Sequence, residues 1–389
     1  MRVLHLGKYY APERGGIERY TQTLAEWCAA QGDIVAVLVH QRPGRWRGTC
    51  EQLNGVEVHR AGCLAAPVYT PLSPAFPFEL SRTLREFRPD LLHLHFPNPS
   101  CFAALAIPAA RRLPWIVHWH ADVPPDSPDW RLRTFYRAYR PFERAVLRRA
   151  NAIIATSQPY VQASAALAEW KDKVHVVALG IDADATTTPT AHAPEHTRWN
   201  EENASALRLL AVGRLSRYKG FDVLIEALAR VPAASLLLVG HGECERELRA
   251  QASARGLGQR LRFAGNLDDG ALAAAYAEAD AFVLPSLDRG EAFGLVLLEA
   301  MRAGLPTIAS AIPGSGVGSV VVDGETGLLV PPGNVGALAA AIERLRDSAL
   351  RRQLGQAGVQ RWRSTFTLEA TASAVRRIYA EAVAARAPA

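Results

Sequence analysis

Ser286-Leu287-Asp288-Arg289-Gly290-Glu291-Ala292-Phe293-Gly294-Leu295-Val296-Leu297-Leu298-Glu299-Ala300-Met301 is the stretch whose reading decides the fold. Before it, Ala281-Phe282-Val283-Leu284 is a short apolar run closed by Pro285-Ser286, as in a strand buried in a parallel sheet. After it, Leu295, Leu298 and Met301 recur at helical spacing until Gly304 and Pro306 stop the helix. Strand, glycine-containing loop and helix together form the corner at which an open α/β sheet binds ligands. A helix N-terminus near Gly294 offers backbone N–H groups and the positive end of a dipole to a phosphate. Read as positions on one helix, Glu291 and Glu299 stand about 80° apart around it and roughly 12 Å along it. They suit the two ends of an extended ligand, each accepting hydrogen bonds from a diol, with a diphosphate between them.

Working outward, 389 residues exceed one ordinary core, so two domains are expected. Charged residues make up 21%, ordinary for a globular chain. Five cysteines (Cys28, Cys50, Cys63, Cys101, Cys244) form no metal-ligand spacing and read as reduced thiols of a cytosolic protein. There is no apolar leader at the start and no 18-residue apolar span, so neither secretion nor a transmembrane helix is expected. Residues 1–185 carry 22 Lys and Arg against 17 Asp and Glu, whereas the remainder is near balance. A basic first half suits an acidic partner such as an anionic lipid face. Nucleic acid is disfavoured, because no helix-turn-helix, zinc or RNA-binding pattern accompanies the charge.

The first half alternates strands (2–6, 34–40, 91–94, 115–119, 152–155, 174–177) with helices (near 17–31, 78–88, 100–112, 131–150 and 158–168). Such alternation implies a parallel sheet covered on both faces. Residues 186–206 lack periodicity and read as a linker. The pattern then repeats with strands at 207–212, 235–240, 260–264, 281–284 and 306–309. The predicted fold is therefore α/β, with two doubly wound Rossmann-like domains, 1–185 and 207–365, and a helical tail over 366–389.

Strand ends carry the candidate ligand groups. Gly15-Gly16, in the loop after the first strand, permits φ > 0 and close approach of a ligand, with Glu18 just inside the following helix. The loop is neither Gly-x-Gly-x-x-Gly nor a Walker sequence, so nicotinamide dinucleotide and P-loop chemistry are disfavoured. His95 and Asn98 end the next candidate strand, with His93 read as structural. His120 and Asp122 follow Trp115–Trp119; a neutral imidazole there can donate a hydrogen bond to a ligand oxygen, and Asp122 orients it or meets a ligand itself. Residues 131–150 mix seven arginines with aromatics around Pro141, reading equally as a lipid-facing helix or as a solvated basic face over a core. In the second half, Arg214 and Lys219 place two cations on one strand-to-helix loop, suited to a diphosphate. Gly240 lies in a further glycine loop at a strand end. Asp268-Asp269 is explained as a helix cap rather than a metal motif, and Val322–Leu328 reads as a tight turn.

Taken together, the Gly-Gly loop, His120, the Gly213-Arg214-Leu215…Lys219-Gly220 element and Glu291-x7-Glu299 resemble the retaining glycosyltransferases of family 4, over nearly the whole chain. The resemblance implies the GT-B fold, two Rossmann-like domains facing across a cleft, with the tail packing across both. It implies a nucleotide-sugar donor held by Gly15, Gly16, Arg214, Lys219, Gly240, Glu291, Ala292, Phe293, Gly294, Leu295 and Glu299. Glu291 would contact the sugar and Glu299 the ribose. His120, Arg214, Lys219 and Glu291 would carry the chemistry, and Glu18, His95, Asn98 and Asp122 would face the acceptor. Neither a cofactor nor a metal ion is implied. Ile312-Pro313-Gly314-Ser315-Gly316-Val317-Gly318 and His93–Pro99 resemble a branch of bacterial O-antigen mannosyl- and rhamnosyltransferases. That likeness favours GDP-mannose or GDP-rhamnose as donor and a polyprenyl-diphosphate-linked saccharide as acceptor, at the inner face of the cytoplasmic membrane. The rival readings are a UDP-glucose or UDP-N-acetylglucosamine enzyme of the same fold, a nucleotide-sugar epimerase, and a non-catalytic nucleotide-sugar-binding protein.

Overall fold

A computed structural model describes residues 1–13, 15–67, 70–123, 130–183, 199 and 206–385. The chain forms two compact units, Met1–Gly180 with Leu368–Ala389, and Ile181–Thr367. The boundary thus falls at Gly180, a few residues before the expected position. Ile181 is the reason: its N–H bonds to the carbonyl of Phe366 (3.0 Å), and Arg302 holds the Asp182 carbonyl (2.7 Å), tying both to the second unit. Most of the predicted linker, 186–206, lies outside the described residues.

The first unit is built on an eight-stranded sheet. Its strands are β1 (Arg2–Leu6), β2 (Ile34–His40), β3 (Thr49–Leu53), β4 (Val56–Ala61), β5 (Leu91–Phe96), β6 (Trp115–Trp119), β7 (Ala152–Ala155) and β8 (Val174–Val176), in the order β3-β4-β2-β1-β5-β6-β7-β8. All pairs are parallel except β3 with β4. Every residue of β5 and β6 is buried, as expected of strands covered on both faces. The β3–β4 hairpin was not expected from the sequence. β3 is exposed and polar along most of its length, so no apolar alternation marks it, but Asn54 and Gly55 between the strands both have positive φ (49° and 83°), as a tight hairpin needs. Two expected helices are shorter than predicted. That over 100–112 breaks into a 3-10 turn and two four-residue helices, Ala103–Ala106 and Pro108–Arg111, because Pro108 holds Ile107 extended. The helix expected over 158–168 covers only Gln158–Ala163.

Helix α1 (Gly16–Ala30) and the C-terminal helix α14 (Leu368–Ala384) pack together in this unit. Arg376 of α14 pairs with the Asp33 carboxylate (2.7 Å), and Thr371 donates to the Ala178 carbonyl (2.9 Å).

The second unit has six parallel strands: β9 (Leu207–Val212), β10 (Ala234–Val239), β11 (Leu261–Gly265), β12 (Ala281–Leu284), β13 (Thr307–Ser310) and β14 (Gly327–Val330), ordered β11-β10-β9-β12-β13-β14. Strand β14 begins within the segment read as a turn; Gly324 does turn there, at φ +73°. The chain leaves β9 toward β10 and β11, then returns to the other side of β9 with β12. In the first unit it does the same around β1, between β2 and β5. Each sheet therefore has one switch point, where loops from adjacent strands diverge and ligands bind.

Candidate functional site

The switch point of the second unit joins the loop after β9 to the loop after β12. Between β9 and helix α7 (Phe221–Ala229) runs Gly213–Gly220. Gly220 stands at φ +67°, and a Cβ there would lie 2.2 Å from the Pro285 carbonyl, so only glycine lets these two backbones meet. The Leu287 N–H then bonds to the Tyr218 carbonyl (2.7 Å). This zipper delivers Lys219 to Glu291, 72 residues away: Nζ donates to Oε2 at 2.6 Å, and the Ser286 hydroxyl donates to the same oxygen at 3.0 Å. Both side chains are only 10% exposed. Burial acts to lower the Lys219 pKa, but the Glu291 charge and hydrogen bond outweigh it and the net shift is upward. The ammonium therefore stays charged. Arg214, on the same loop, is exposed and close enough for its charge to act on Lys219.

Helix α10 (Leu295–Arg302) starts from Gly294, whose φ of +85° bends the loop into the helix. Glu291 thus lies in the loop, four residues before α10, and the helical angle and rise computed for the two glutamates do not apply. Only Glu299 is on the helix, where it is buried and its Oε2 accepts from the Tyr276 hydroxyl at 2.8 Å. Ala292 and Phe293 are buried, and the Ala292 carbonyl accepts the Gly316 N–H (2.8 Å) while the Ser315 hydroxyl bonds the Glu291 carbonyl. The Gly314–Gly316 loop after β13 therefore fixes the backbone on which Glu291 is mounted. Gly240 follows β10 directly and packs on the neighbouring loop, since a Cβ there would lie 2.0 Å from the Gly213 carbonyl. Asp268 caps its helix, accepting from the Ala271 N–H (2.8 Å).

At the first unit's switch point the buried side chains are neutral histidines. His5 of β1, His93 and His95 of β5, His118 of β6 and His120 just beyond it form one stack on one face of the sheet. Register explains it: His5 pairs with His93 and His95 with His118, and residues two apart share a face. Neighbouring rings lie 4.3–5.7 Å apart. Hydrogen bonds link His5 Nδ1 to His95 Nε2 (3.1 Å), His95 Nδ1 to His120 Nε2 (3.0 Å) and His118 Nδ1 to His93 Nε2 (3.3 Å). His93 Nδ1 also bonds the Tyr379 hydroxyl, locking α14 onto the sheet. Burial drives all five pKa values down, to about 3 for His5 and His120, so the rings are neutral at pH 7. Nitrogens of His95, His118 and His120 lie within 4.8 Å of one another. Yet these rings are within 9° of parallel, so their in-plane lone pairs do not converge as a metal ion requires.

The remaining predicted residues fall as follows. Gly15 is extended (φ −177°), so the positive φ expected of the Gly-Gly turn is not used there. A Cβ at Gly15 would instead meet the Glu18 carboxylate at 2.1 Å, because Glu18 folds back over the start of α1, the place an anion would take. Asn98 is fully buried and accepts the Ser100 N–H (3.2 Å), capping a 3-10 turn. Asp122 Oδ1 accepts from Trp119 Nε1 (2.8 Å) and the Ser164 hydroxyl (2.7 Å). Helix α5 (Trp130–Arg149) exposes Arg133, Arg137, Arg140 and Arg144 beside Phe135 and Phe142. Ser286, Tyr276, Ser315 and His5 were not anticipated; only the position of Ser286 at a strand end and the spacing of the histidines offered a signal.

Among the described residues no helix is long and apolar enough to cross a membrane. Residues 15–180 match the model of the glycosyl transferase 4-like domain, and 194–361 that of glycosyl transferases group 1. The chain is 32% identical to a D-rhamnosyltransferase, WbpZ, of Pseudomonas aeruginosa, over 94% of this chain and 92% of that one. It is 28% identical to the O-antigen chain mannosyltransferase C of Escherichia coli, over 97% and 98%. Among solved structures, sucrose-phosphate synthase from Thermosynechococcus elongatus superposes with a TM-score of 0.80 at 25% identity, over 99% of both chains.

Proposed function

Because the chain belongs to the glycosyltransferases of the family-4-like, GT-B type, we propose that it moves mannose or rhamnose from a GDP-sugar to a lipid-linked saccharide, with retention of configuration and without a metal ion. The observation that carries this reading is the buried Lys219–Glu291 pair beside the start of α10. Departure of a nucleoside diphosphate leaves negative charge that must be met as it develops. Lys219, Arg214 and the N-terminal turn of α10 supply positive charge and N–H donors for it, in the role a divalent cation plays elsewhere. Glu291 accepts hydrogen bonds from sugar hydroxyls, and Glu299, oriented by Tyr276, accepts them from the ribose. His120, neutral at the rim of the first unit's sheet, donates one more hydrogen bond to the sugar. With no carboxylate assigned as a nucleophile, attack proceeds on the same face through an oxocarbenium-like state. The names of the rhamnosyl and mannosyl relatives support the choice of sugar. The exposed arginines and phenylalanines of α5 support an anionic, lipid-borne acceptor. Thermal stabilisation by a panel of GDP-mannose, GDP-rhamnose, UDP-glucose and UDP-N-acetylglucosamine tests the donor, since a ligand bound only by the folded state raises its melting point. Selective stabilisation by a GDP-sugar is expected. A selective response to a UDP-sugar overturns the donor, and no response to any overturns the transferase reading.

A further inference from the structure

The histidine stack contains a directional chain whose proton positions follow from one hydroxyl. The Thr21 hydroxyl lies 2.8 Å from the Ile17 carbonyl oxygen. A carbonyl cannot donate, so the Thr21 proton is committed to it. Thr21 Oγ1 is also 3.3 Å from His95 Nδ1, and toward that nitrogen it can only accept. His95 Nδ1 therefore carries the proton, shared between Thr21 Oγ1 and His120 Nε2 at 3.0 Å. A neutral imidazole has one N–H, so His95 Nε2 is bare and accepts from His5 Nδ1 at 3.1 Å. The outcome at the far end is consistent: His5 Nε2 is buried without a partner, and a bare nitrogen there leaves no orphaned N–H. At the near end, His120 Nε2 is used as an acceptor, so its proton sits on Nδ1.

We propose that Thr21, His95 and His5 are positioning residues that hold His120 in the Nδ1–H tautomer, so that this ring presents a neutral hydrogen-bond donor rather than a base or a cation. His120 is the least buried of the five rings, 5% exposed against 0–2% for the others. The Tyr20 ring stands edge-on to it at 5.7 Å, further fixing its plane. The group opposite Nδ1 must then be an acceptor: the oxygen of a sugar hydroxyl or of a phosphoryl group. Reversing the chain would take the acceptor Thr21 away from His95 and bury an N–H at His5 Nε2. Both changes cost, so the direction is built into the sheet rather than chosen by the ligand. The chemical consequence at the sugar rests on the transferase reading; the tautomer does not.

Long-range proton–nitrogen correlation spectra of the full chain, labelled with nitrogen-15 in its histidines, read the tautomer of each ring without any ligand. Protonated Nδ1 in His5, His95 and His120 is expected, with each ring assigned from single-site variants. Protonated Nε2 in His120 overturns the proposal, as does one equivalent of Zn²⁺ removing the Nδ1–H signals, since the nitrogens would then be metal ligands. Thr21→Val removes the acceptor that sets the direction, whereas Thr21→Ser keeps it. The first should populate the other tautomer of His120 and lower kcat/KM on the order of 10-fold with GDP-mannose or UDP-glucose, whichever is turned over. The second should restore both readouts. An unchanged spectrum in Thr21→Val overturns the role of Thr21. If the expected spectra are found in a protein that turns over no nucleotide sugar, the chain of protons stands and the transferase reading falls.

Discussion

The two sheets present their functional ends with opposite electrostatics. Around β1 and β5 the first unit buries five imidazoles and keeps every one neutral. Around β9 and β12 the second buries a full ion pair, Lys219 with Glu291. The difference follows from what each group can do when water is removed. A neutral imidazole donates at one nitrogen and accepts at the other, so rings in register satisfy one another along the stack. A buried carboxylate and ammonium have no such option and persist only as partners. The first arrangement offers directed hydrogen bonds without charge and the second offers charge held in place. The proposed transfer of a sugar from a diphosphate would use both.

The sharpest way to break this comparison is acid. The stacked histidines have folded pKa values below the ordinary 6.5, so their contribution is fully present above about pH 6.5 and is lost as pH falls, because the unfolded chain binds protons that the stack refuses. Each such ring costs about 1.4 kcal/mol per pH unit over that window, which for His5 and His120 reaches down to about pH 3. Several rings acting together rival the whole stability of a domain. Glu143 works the other way: burial, then the nearby Asp122 charge, raises its pKa to about 7, so it favours the fold as pH falls toward 4.5, but it stands against the five stacked rings and His40, whose pKa burial lowers to about 4. The first unit, which holds the buried Trp115 and Trp119, should lose its near-UV circular dichroism near about pH 5, well before reaching its histidines' folded pKa values. A tryptophan signal unchanged at pH 4 would mean that the stack is not neutral.

The ion pair is broken by charge rather than pH. Lys219→Met should lower turnover about 10²-fold, the loss found when one preorganised group facing a developing anion is removed. It should also destabilise the second unit by about 3–5 kcal/mol, because Glu291 is left buried and unpaired. Adding Glu291→Gln removes the orphaned charge, so the double variant should recover most of the melting temperature and none of the activity. Recovery of both, measured by calorimetry beside single-turnover kinetics, would make the pair structural and leave the diphosphate to Arg214.

How far this contrast was legible in the sequence depended on whether a feature was local. The corner from β12 to α10 could be read directly, because an apolar run, Gly294 and the Leu295/Leu298/Met301 period all lie within about twenty residues. The expected geometry of the two glutamates was wrong for a local reason too: the helix starts at Leu295, as its spacing suggested, so Glu291 lies before it and helical angle and rise cannot be applied to that residue. The Lys219–Glu291 contact could not be read, since it is made by the adjacency of β9 and β12 in the sheet and by the bare backbone of Gly220. The histidine stack was half visible. His93/His95 and His118/His120 show the alternation of strands, but His5 joins them only through the register of β1 with β5.

The smallest expected effect sharpens the comparison from inside the second unit. Tyr276 stacks near Phe282 (5.8 Å) and donates to Glu299 Oε2, so Tyr276→Phe removes a hydroxyl and keeps the packing. A hydrogen bond to a buried carboxylate is worth about 1.5–3 kcal/mol at the upper end, and less where the carboxylate keeps other donors. If Glu299 binds the ribose as proposed, loosening it weakens donor binding in ground state and transition state alike. KM for the nucleotide sugar should then rise several-fold, on the order of 5-fold for ~1 kcal/mol, with kcat unchanged. The same variant should leave the acid transition of the first unit where it was, since Tyr276 packs against Phe282 and Glu299 of the second unit. A fall in kcat without a change in KM would move Glu299 from the ribose to the reacting centre, and would place a second carboxylate beside Glu291 there.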